Sequence, residues 1–220
     1  MNQIKEYNDV YYPQENDSNV VKALLADRVW EKNITKIFKL YIKENSVVVD
    51  AGAYIGLHTL TMANIAKKVY SFEPQPLVYQ CLKQTLEKKQ ITNVDLHHIA
   101  LSSKSGETTI HTNNNGDASV AGIRDAKFSM SFPVSTETLD SYNIGKVDFL
   151  KVDVEGHEWD VLEGSRNLIL NNKPIIILET FKTKKNIKKL KVFALQFNYS
   201  LTYISGDNYL LRPITPEHEN

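Results

Sequence analysis

The chain has 220 residues, of which 42% are hydrophobic and 24% are charged, and its formal net charge at pH 7 is zero. This length is enough for one α/β domain with a sizeable core, and the neutral total charge gives no overall attraction to nucleic acid or to a membrane surface. A single cysteine, Cys81, excludes an internal disulfide framework. No segment has the ~20 apolar residues of a membrane span or the apolar core of a signal peptide. We therefore expect a cytoplasmic protein with no nucleic-acid and no membrane partner.

The N-terminal part of the chain differs from the rest. Residues 1–18 are polar and contain several tyrosines, which favours an irregular segment or a short pair of strands. Apolar residues then recur at helical spacing and predict one or two helices over 19–44. We expect 1–45 to form a helical or irregular cap and 46–220 to form the core of the same single domain.

Strands and helices alternate through this core. The predicted strands, rich in β-branched residues, span 46–50, 69–73, 94–101, 147–154 and 175–179. One predicted helix follows the first of these strands and ends near residue 65. The other predicted helices span 75–89, 158–169 and 184–197. A hairpin is predicted from strands at 199–204 and 209–212. Such alternation predicts a parallel, doubly wound sheet with helices on both faces and an antiparallel C-terminal hairpin at its edge.

A polar segment at about 102–135 interrupts the alternation, with one short strand predicted at 132–136. A polar excursion of this length inside an α/β domain is usually functional or disordered. Its amide and hydroxyl groups suit a hydroxyl-rich sugar, and Arg124 and Lys127 suit a phosphate or carboxylate. Residues 111–133 of the excursion and the N-terminal helices are therefore the predicted walls of an acceptor site, and a solvated loop is the alternative.

The turn DAGAYIG at 50–56 follows the first core strand and precedes a helix. In such a unit the turn and the helix N-terminus meet a small ligand at the carboxyl end of the strand. A dinucleotide fingerprint opens with glycine, whereas Asp50 leads here, and a carboxylate repels a pyrophosphate but can hold an amino group. Glu73, about 20 residues beyond the turn, can accept from both hydroxyls of a ribose, and Pro74 ends its strand. The pattern favours S-adenosylmethionine; the alternative is that these are ordinary loop carboxylates.

A second dense group of ionisable residues, FLKVDVEGHE, spans 149–158. Lys151 and Asp153 share a face of a buried strand, so they must pair or meet another polar group. Asp153, Glu155 and His157 are candidates for the base that removes a proton from an acceptor hydroxyl, with Lys151 in the same catalytic group. The alternative is a fixed Lys151–Asp153 ion pair, with the glutamates only capping a helix.

A divalent metal is possible but not indicated by the sequence. Asp153 and Glu179 end adjacent predicted strands, where two carboxylates could hold Mg²⁺ together with an acceptor diol. No further oxygen ligand is evident beside Glu179, and the other histidines do not have the spacing of a zinc site.

Six segments together resemble the FkbM family of S-adenosylmethionine-dependent methyltransferases, over roughly residues 45–212. They are DAGAYIG at 50–56, FEP at 72–74, TLD at 138–140, FLKVDVEGHE at 149–158, VLEG at 161–164 and PIIILE at 174–179. The resemblance implies a Rossmann-like class I methyltransferase fold with a seven-stranded, mostly parallel sheet. It also implies O-methylation of sugars in glycans or of polyketide-type metabolites.

The resemblance also assigns the cofactor contacts by residue. Asp50, Gly52 and Gly56 would line the methionine end, Glu73 would hold the ribose, and Ala100 with its neighbours would hold the adenine. The remaining residues of the predicted cofactor set are Ala53, Tyr54, Pro74 and Ser119. Tyr54 stands where the family often has asparagine.

Several functions remain open at this point. The favoured one is methylation of a sugar hydroxyl in a glycan or nucleotide-sugar, and another small metabolite is an alternative acceptor. A non-catalytic binding protein of the same fold is a further alternative. The neutral charge disfavours RNA 2′-O-methylation, and the leading Asp50 disfavours a nicotinamide oxidoreductase. The basic run at 182–191 could attract a nucleotide-sugar, an acidic glycan or RNA, although such a run is more often a solvated face.

Overall fold

The structure, a computed structural model, describes residues 4–14, 18–112 and 130–214. Its strands are β1 (Ile4–Tyr7), β2 (Val10–Pro13), β3 (Val47–Ala51), β4 (Lys68–Phe72), β5 (Val94–His97), β6 (Ala100–Leu101), β7 (Gly106–Thr112), β8 (Met130–Glu137), β9 (Phe149–Val152), β10 (Ile175–Glu179), β11 (Tyr199–Ser205) and β12 (Asn208–Pro213). Its α-helices are α1 (Asn19–Leu25), α2 (Lys32–Tyr41), α3 (Leu57–Ala63), α4 (Pro76–Lys88), α5 (Glu158–Glu163), α6 (Arg166–Asn172) and α7 (Lys184–Gln196), and a 3₁₀ helix spans Leu139–Tyr142.

A seven-stranded sheet forms the centre of the fold, in the order β11-β12-β10-β9-β3-β4-β5. Strands β5, β4, β3, β9 and β10 pair in parallel, whereas β12 is antiparallel to both of its neighbours. From β3 the chain adds β4 and β5 on one side of the sheet, and from β9 it adds β10 and the hairpin of β11 and β12 on the other side. The switch point between β3 and β9 is therefore where such sheets bind ligands, at the carboxyl ends of the strands.

The sheet is buried on both faces, as its nearly continuous apolar strands predict. Because neighbouring residues of a strand point to opposite faces, Val48 and Ile177 pack with α2 and α3, whereas Val49 and Ile176 pack with α5, α6 and α7. All four side chains are fully buried. No helix in the described ranges has both the length and the apolarity to cross a bilayer.

The N-terminal segment forms the predicted short strand pair and two helices. Strands β1 and β2 form an antiparallel hairpin that packs on α4, where the Tyr11 N–H donates to Thr85 Oγ1 at 2.9 Å. Cys81 of α4 lies in the cluster beneath this hairpin, and burial raises the pKa of its thiol to about 12. The cysteine is thus a core residue.

The prediction of one strand over 94–101 is wrong, because two strands in different sheets occupy this segment. β5 ends at His97, whose carbonyl accepts from the Glu73 N–H just beyond the end of β4. The chain then turns away, and Ala100–Leu101 pairs with β8 in a separate sheet of order β6-β8-β7. β7 was not predicted, because only Ile110 and Thr112 of this polar strand are buried.

The prediction of a single helix over 158–169 is also wrong, because two helices, α5 and α6, occupy this segment. Gly164 lies so close to Ser102 that a Cβ on it would be 1.9 Å from the Ser102 carbonyl oxygen. Its own carbonyl accepts from the Asp140 N–H, and the Asp140 carboxylate accepts from the N–H groups of Asn167 and Leu168 at the start of α6. Contacts made by Asp140, from outside the segment, therefore start the second helix.

Gly52 controls how closely the ends of β3 and β9 approach. Its φ is +84°, and a Cβ on it would be 1.7 Å from the carbonyl oxygen of Asp153. Gly52→Ala should therefore lower the free energy of unfolding by at least ~2 kcal/mol, measured by chemical denaturation. Gly145→Ala is the matched control, since a Cβ there meets nothing within 4 Å, and it should be close to neutral. Equal stability of the two variants would contradict this account of Gly52.

Candidate active site

A cavity of about 290 Å³ opens at the switch point, above the carboxyl ends of β3, β4, β9 and β10. Its walls also include the turn after β3, the start of α3, β6 with the preceding Ile99, and Ile110 of β7. The N-terminal part of the chain contributes Asn19 and Val20 of α1 and the segment that leads into α2. The sequence-predicted residues that line it are Gly52, Ala53, Tyr54, Glu73, Pro74, Ala100, Lys151, Asp153, Glu155, His157 and Glu179. The structure thus brings most of the two predicted groups together around one space.

Lys151 lies beneath this cavity between two carboxylates. Its Nζ is 3.0 Å from Asp153 Oδ2 and 3.6 Å from Asp50 Oδ1, and the lysine is 2% exposed. Burial alone would lower the pKa of Lys151, but the charges of Asp153 and Asp50 more than offset this and raise the pKa above its usual value. Lys151 therefore carries a positive charge at neutral pH and cannot serve as a base.

Asp50, predicted to line the methionine end of the cofactor, lies behind Lys151 at the end of β3. Its carboxylate is fully buried and does not line the cavity, and Thr59 Oγ1 donates to Oδ2 at 2.6 Å. Because β3 and β9 are parallel and Asp50 is in register with Lys151, the aspartate can contact the lysine from the neighbouring strand. Gly56 also lies behind the cavity wall, against the side chain of Leu82.

Glu73 is held rigidly at the end of β4. Its Oε2 accepts from the Tyr54 N–H at 2.8 Å, and its Oε1 accepts from the Gln75 N–H at 2.9 Å. Burial raises the pKa of Glu73 to about 7, although the two N–H donors favour the charged form. A carboxylate has about four acceptor positions, so each oxygen retains one for a ligand in the cavity.

The opposite side of the cavity is acidic. Glu179 lies at the end of β10, and burial together with the charges of Asp153 and Glu31 raises the pKa of Glu179 to about 9. Glu31 lies in the left-handed region at φ 42°, where its carboxylate contacts His58 Nε2 at 2.8 Å and accepts from Asn208 Nδ2 at 3.0 Å. Glu31 and His58 were not predicted, because residues 1–45 carried no motif and His58 lay within a helix pattern.

His157 lines the cavity, and its ring is engaged by neighbouring side chains. Its Nε2 is 2.9 Å from Ser102 Oγ, and its Nδ1 is 3.4 Å from Asp160 Oδ2. Nearby, the Gly156 N–H donates to the carboxylate of Glu158 at 2.6 Å, as the helix-capping alternative predicts for that glutamate. These contacts give His157 a structural role at the start of α5.

The structure does not test two further predictions, one about residues of the polar excursion and one about a metal site. Ser119, Arg124 and Lys127 lie outside the described residues. Within the described ranges, no group of three or more His, Cys, Asp or Glu side chains could hold a metal ion. The metal site at Asp153 and Glu179 therefore stays a prediction.

Comparison with known proteins places this geometry in a family. Residues 50–204 match the model described as the methyltransferase FkbM domain. The hexuronic acid methyltransferase AglP of Haloferax volcanii is 27% identical over 171 residues, which cover 76% of this chain and 70% of that protein.

Solved structures confirm the predicted class I methyltransferase fold. Methyltransferase FkbM from Methylobacillus flagellatus aligns with a TM-score of 0.59 at 16% identity, covering 90% of this chain and 56% of that chain. A candidate methyltransferase from Streptococcus mutans, solved in complex with SAH, aligns with a TM-score of 0.54 at 14% identity, covering 82% and 94%. Ribosomal RNA methylases share the fold as well, so the fold alone does not select the acceptor.

The buried lysine yields a stability prediction. Lys151→Met leaves two carboxylates without their cation, one of them fully buried, and should lower the free energy of unfolding by about 3–5 kcal/mol. Lys68→Met is the matched control, because it breaks a partly exposed pair with Asp95 and should cost less than about 1 kcal/mol. Denaturant unfolding of both variants measures the difference, and an equal loss of stability would contradict the role given to Lys151.

Proposed function

The chain belongs to the FkbM methyltransferase family, and from that premise we propose that it transfers a methyl group from S-adenosylmethionine to a saccharide hydroxyl. The single observation that carries the proposal is the cavity at the switch point, where a rigid carboxylate, Glu73, faces an acidic region across one continuous space. The 27% identical hexuronic acid methyltransferase supports a sugar as the class of acceptor.

The residues on the β4 side of the cavity fit an adenosyl group. Glu73 retains one acceptor position on each oxygen, which suits the two vicinal hydroxyls of a ribose. The apolar side chains of Ile99, Ala100, Leu101 and Ile110 line the adjacent wall and suit an adenine ring. When bound, S-adenosylmethionine supplies an electrophilic methyl group on a sulfonium. The likeness to a fold with bound SAH agrees with this arrangement.

The residues on the β9 and β10 side suit a hydroxyl-bearing acceptor. Trp30 offers an aromatic face, and Glu31, His58 and Glu179 offer hydrogen-bonding groups. Since the pKa of Glu179 is raised to about 9, its carboxyl group is protonated at neutral pH and can donate a hydrogen bond to an acceptor oxygen. This combination fits a saccharide better than a wholly apolar metabolite.

Asp153 is the proposed proton acceptor. A sugar hydroxyl has a pKa far above 7, so its proton must leave as the oxygen forms its bond to the methyl carbon. Lys151 holds Asp153 Oδ2, and Oδ1 makes no hydrogen bond within the described part of the chain. Asp153 is about a quarter exposed and lines the cavity, whereas the His157 ring is already engaged by Ser102. Glu155 lines the same wall and remains the alternative base.

Binding of SAH should depend on the ionisation of Glu73. The charged carboxylate accepts hydroxyl donors, and Glu73 loses its proton as the pH rises through about 7. Affinity for SAH should therefore increase roughly tenfold between pH 6 and pH 8, as measured by calorimetric titration. Glu73→Gln should weaken binding by about 1–3 kcal/mol and abolish this pH dependence. Unchanged affinity in the variant would remove Glu73 from the cofactor site.

The role of Asp153 is tested by turnover. Asp153→Asn should lower kcat by about 10²–10⁴-fold while the affinity for SAH stays within twofold, because the base acts on the acceptor. The assay uses the acceptor that a screen of hexoses, uronic acids and nucleotide-sugars identifies. Asp95→Asn, at the far end of the sheet, is the matched control. Full activity of Asp153→Asn would exclude this residue as the base, and SAH binding without turnover on any sugar would contradict the saccharide acceptor.

A further inference from the structure

One surface outside the cavity carries an unusual concentration of positive charge. We call it the α7 basic surface, and it comprises the exposed lysines Lys182, Lys184, Lys185, Lys188, Lys189 and Lys191. No acidic residue occurs anywhere between Glu179 and Asp207. The net charge of the whole chain is zero, and the prediction of no membrane partner relied on that net charge. The net charge does not reveal this local excess of lysines.

Within the part of the chain that the structure describes, the lysines of this surface have no acidic partner. Among residues 4–14, 18–112 and 130–214, no carboxylate oxygen lies within 4 Å of any of their ammonium groups. Lys182 lies over the ring of Tyr203 and Lys189 over that of Trp159. Lys184 and Lys185 occupy the first turn of α7, where the helix dipole disfavours cations. An anionic partner would relieve these repulsions.

Aliphatic side chains lie among these lysines. Leu195 is 85% exposed and Val192 is 54% exposed. Since Lys188, Val192 and Leu195 are spaced at i, i+4 and i+7, they share one face of the helix. Leu190 and Ala194 lie on the opposite face, where they are buried against the sheet. The outer face of α7 is therefore both basic and apolar.

We propose that the α7 basic surface docks on an anionic phospholipid bilayer. A helix with lysines around exposed aliphatic side chains is typical of segments that lie in the interface of an anionic membrane. RNA and acidic glycans are held by attraction of their anionic groups to cations, by stacking on aromatic rings and by hydrogen bonds, and the exposed side chains of Val192 and Leu195 contribute to none of these. Charge complementarity and exposed aliphatic area together therefore favour lipid.

The docking surface begins beside the candidate active site. Phe181, which is 54% exposed, follows the end of β10, and its ring is 3.8 Å from the position of a Cβ on Gly156. Glu155, the neighbour of Gly156, lines the cavity. A membrane in contact with the N-terminal end of α7 would thus lie next to the rim of the cavity. The proposal does not depend on the identity of the acceptor.

Vesicle flotation of the full chain tests the proposal. The protein should float with vesicles of phosphatidylcholine and phosphatidylglycerol, and should not float with phosphatidylcholine alone. High salt should weaken binding, because it screens the lysines. Lys184→Glu with Lys188→Glu and Lys191→Glu should weaken binding at least about tenfold. Val192→Ser with Leu195→Ser should also weaken it, with the charge unchanged.

A matched control separates this surface from a general charge effect. Lys32→Glu with Lys36→Glu and Lys39→Glu reverses three exposed charges on α2, which packs on the opposite face of the sheet, and should leave flotation unchanged. Thermal unfolding by circular dichroism verifies that each variant is folded. Equal binding to both vesicle types, equal loss in the α2 variant, or binding to a single-stranded RNA oligonucleotide without binding to vesicles would each overturn the proposal.

Discussion

The contact of Lys151 with Asp50 and Asp153 is the interaction on which the site depends. A buried ammonium group is tolerated only where carboxylates compensate its charge, so β3 and β9 must be held in one register. Gly52 permits the close approach of the two strand ends, because any larger residue would overlap the Asp153 carbonyl. The floor of the cavity and the orientation of Asp153 follow from this one arrangement.

Two regions of opposite charge share a molecule whose net charge is zero. Carboxylates surround the cavity, and burial raises the pKa of two of them, Glu73 and Glu179. A raised pKa favours the neutral form of a carboxyl group, so at neutral pH Glu179 adds a hydrogen-bond donor to the cavity wall, whereas Glu73 carries its full negative charge only above about pH 7. The α7 basic surface lies outside the cavity and has the opposite character. The carboxyl groups of the cavity and the lysines of the α7 basic surface thus lie at different places on the same protein.

The pattern of residues predicted the ends of the central strands well, because buried parallel strands are apolar runs that stop at polar residues. Glu73, Asp153 and Glu179 lie at one cavity as expected. The third strand was predicted as a single element, since nothing in its composition reveals that its last two residues pair with β8 in another sheet and not with β4. The same limitation applied to α5 and α6, because Asp140, far away in the sequence, divides them.

By itself, the sequence determined the parallel α/β architecture, the switch point and the family, because these depend on local periodicity and on motifs of adjacent residues. The tertiary structure decided the depth of each charged group. It buried Asp50 behind Lys151, engaged His157 with Ser102, and brought Glu31 and His58 from separate segments to the cavity wall. Distances between residues far apart in the chain depend on how strands and helices pack, and burial then determines which carboxylates hold their protons.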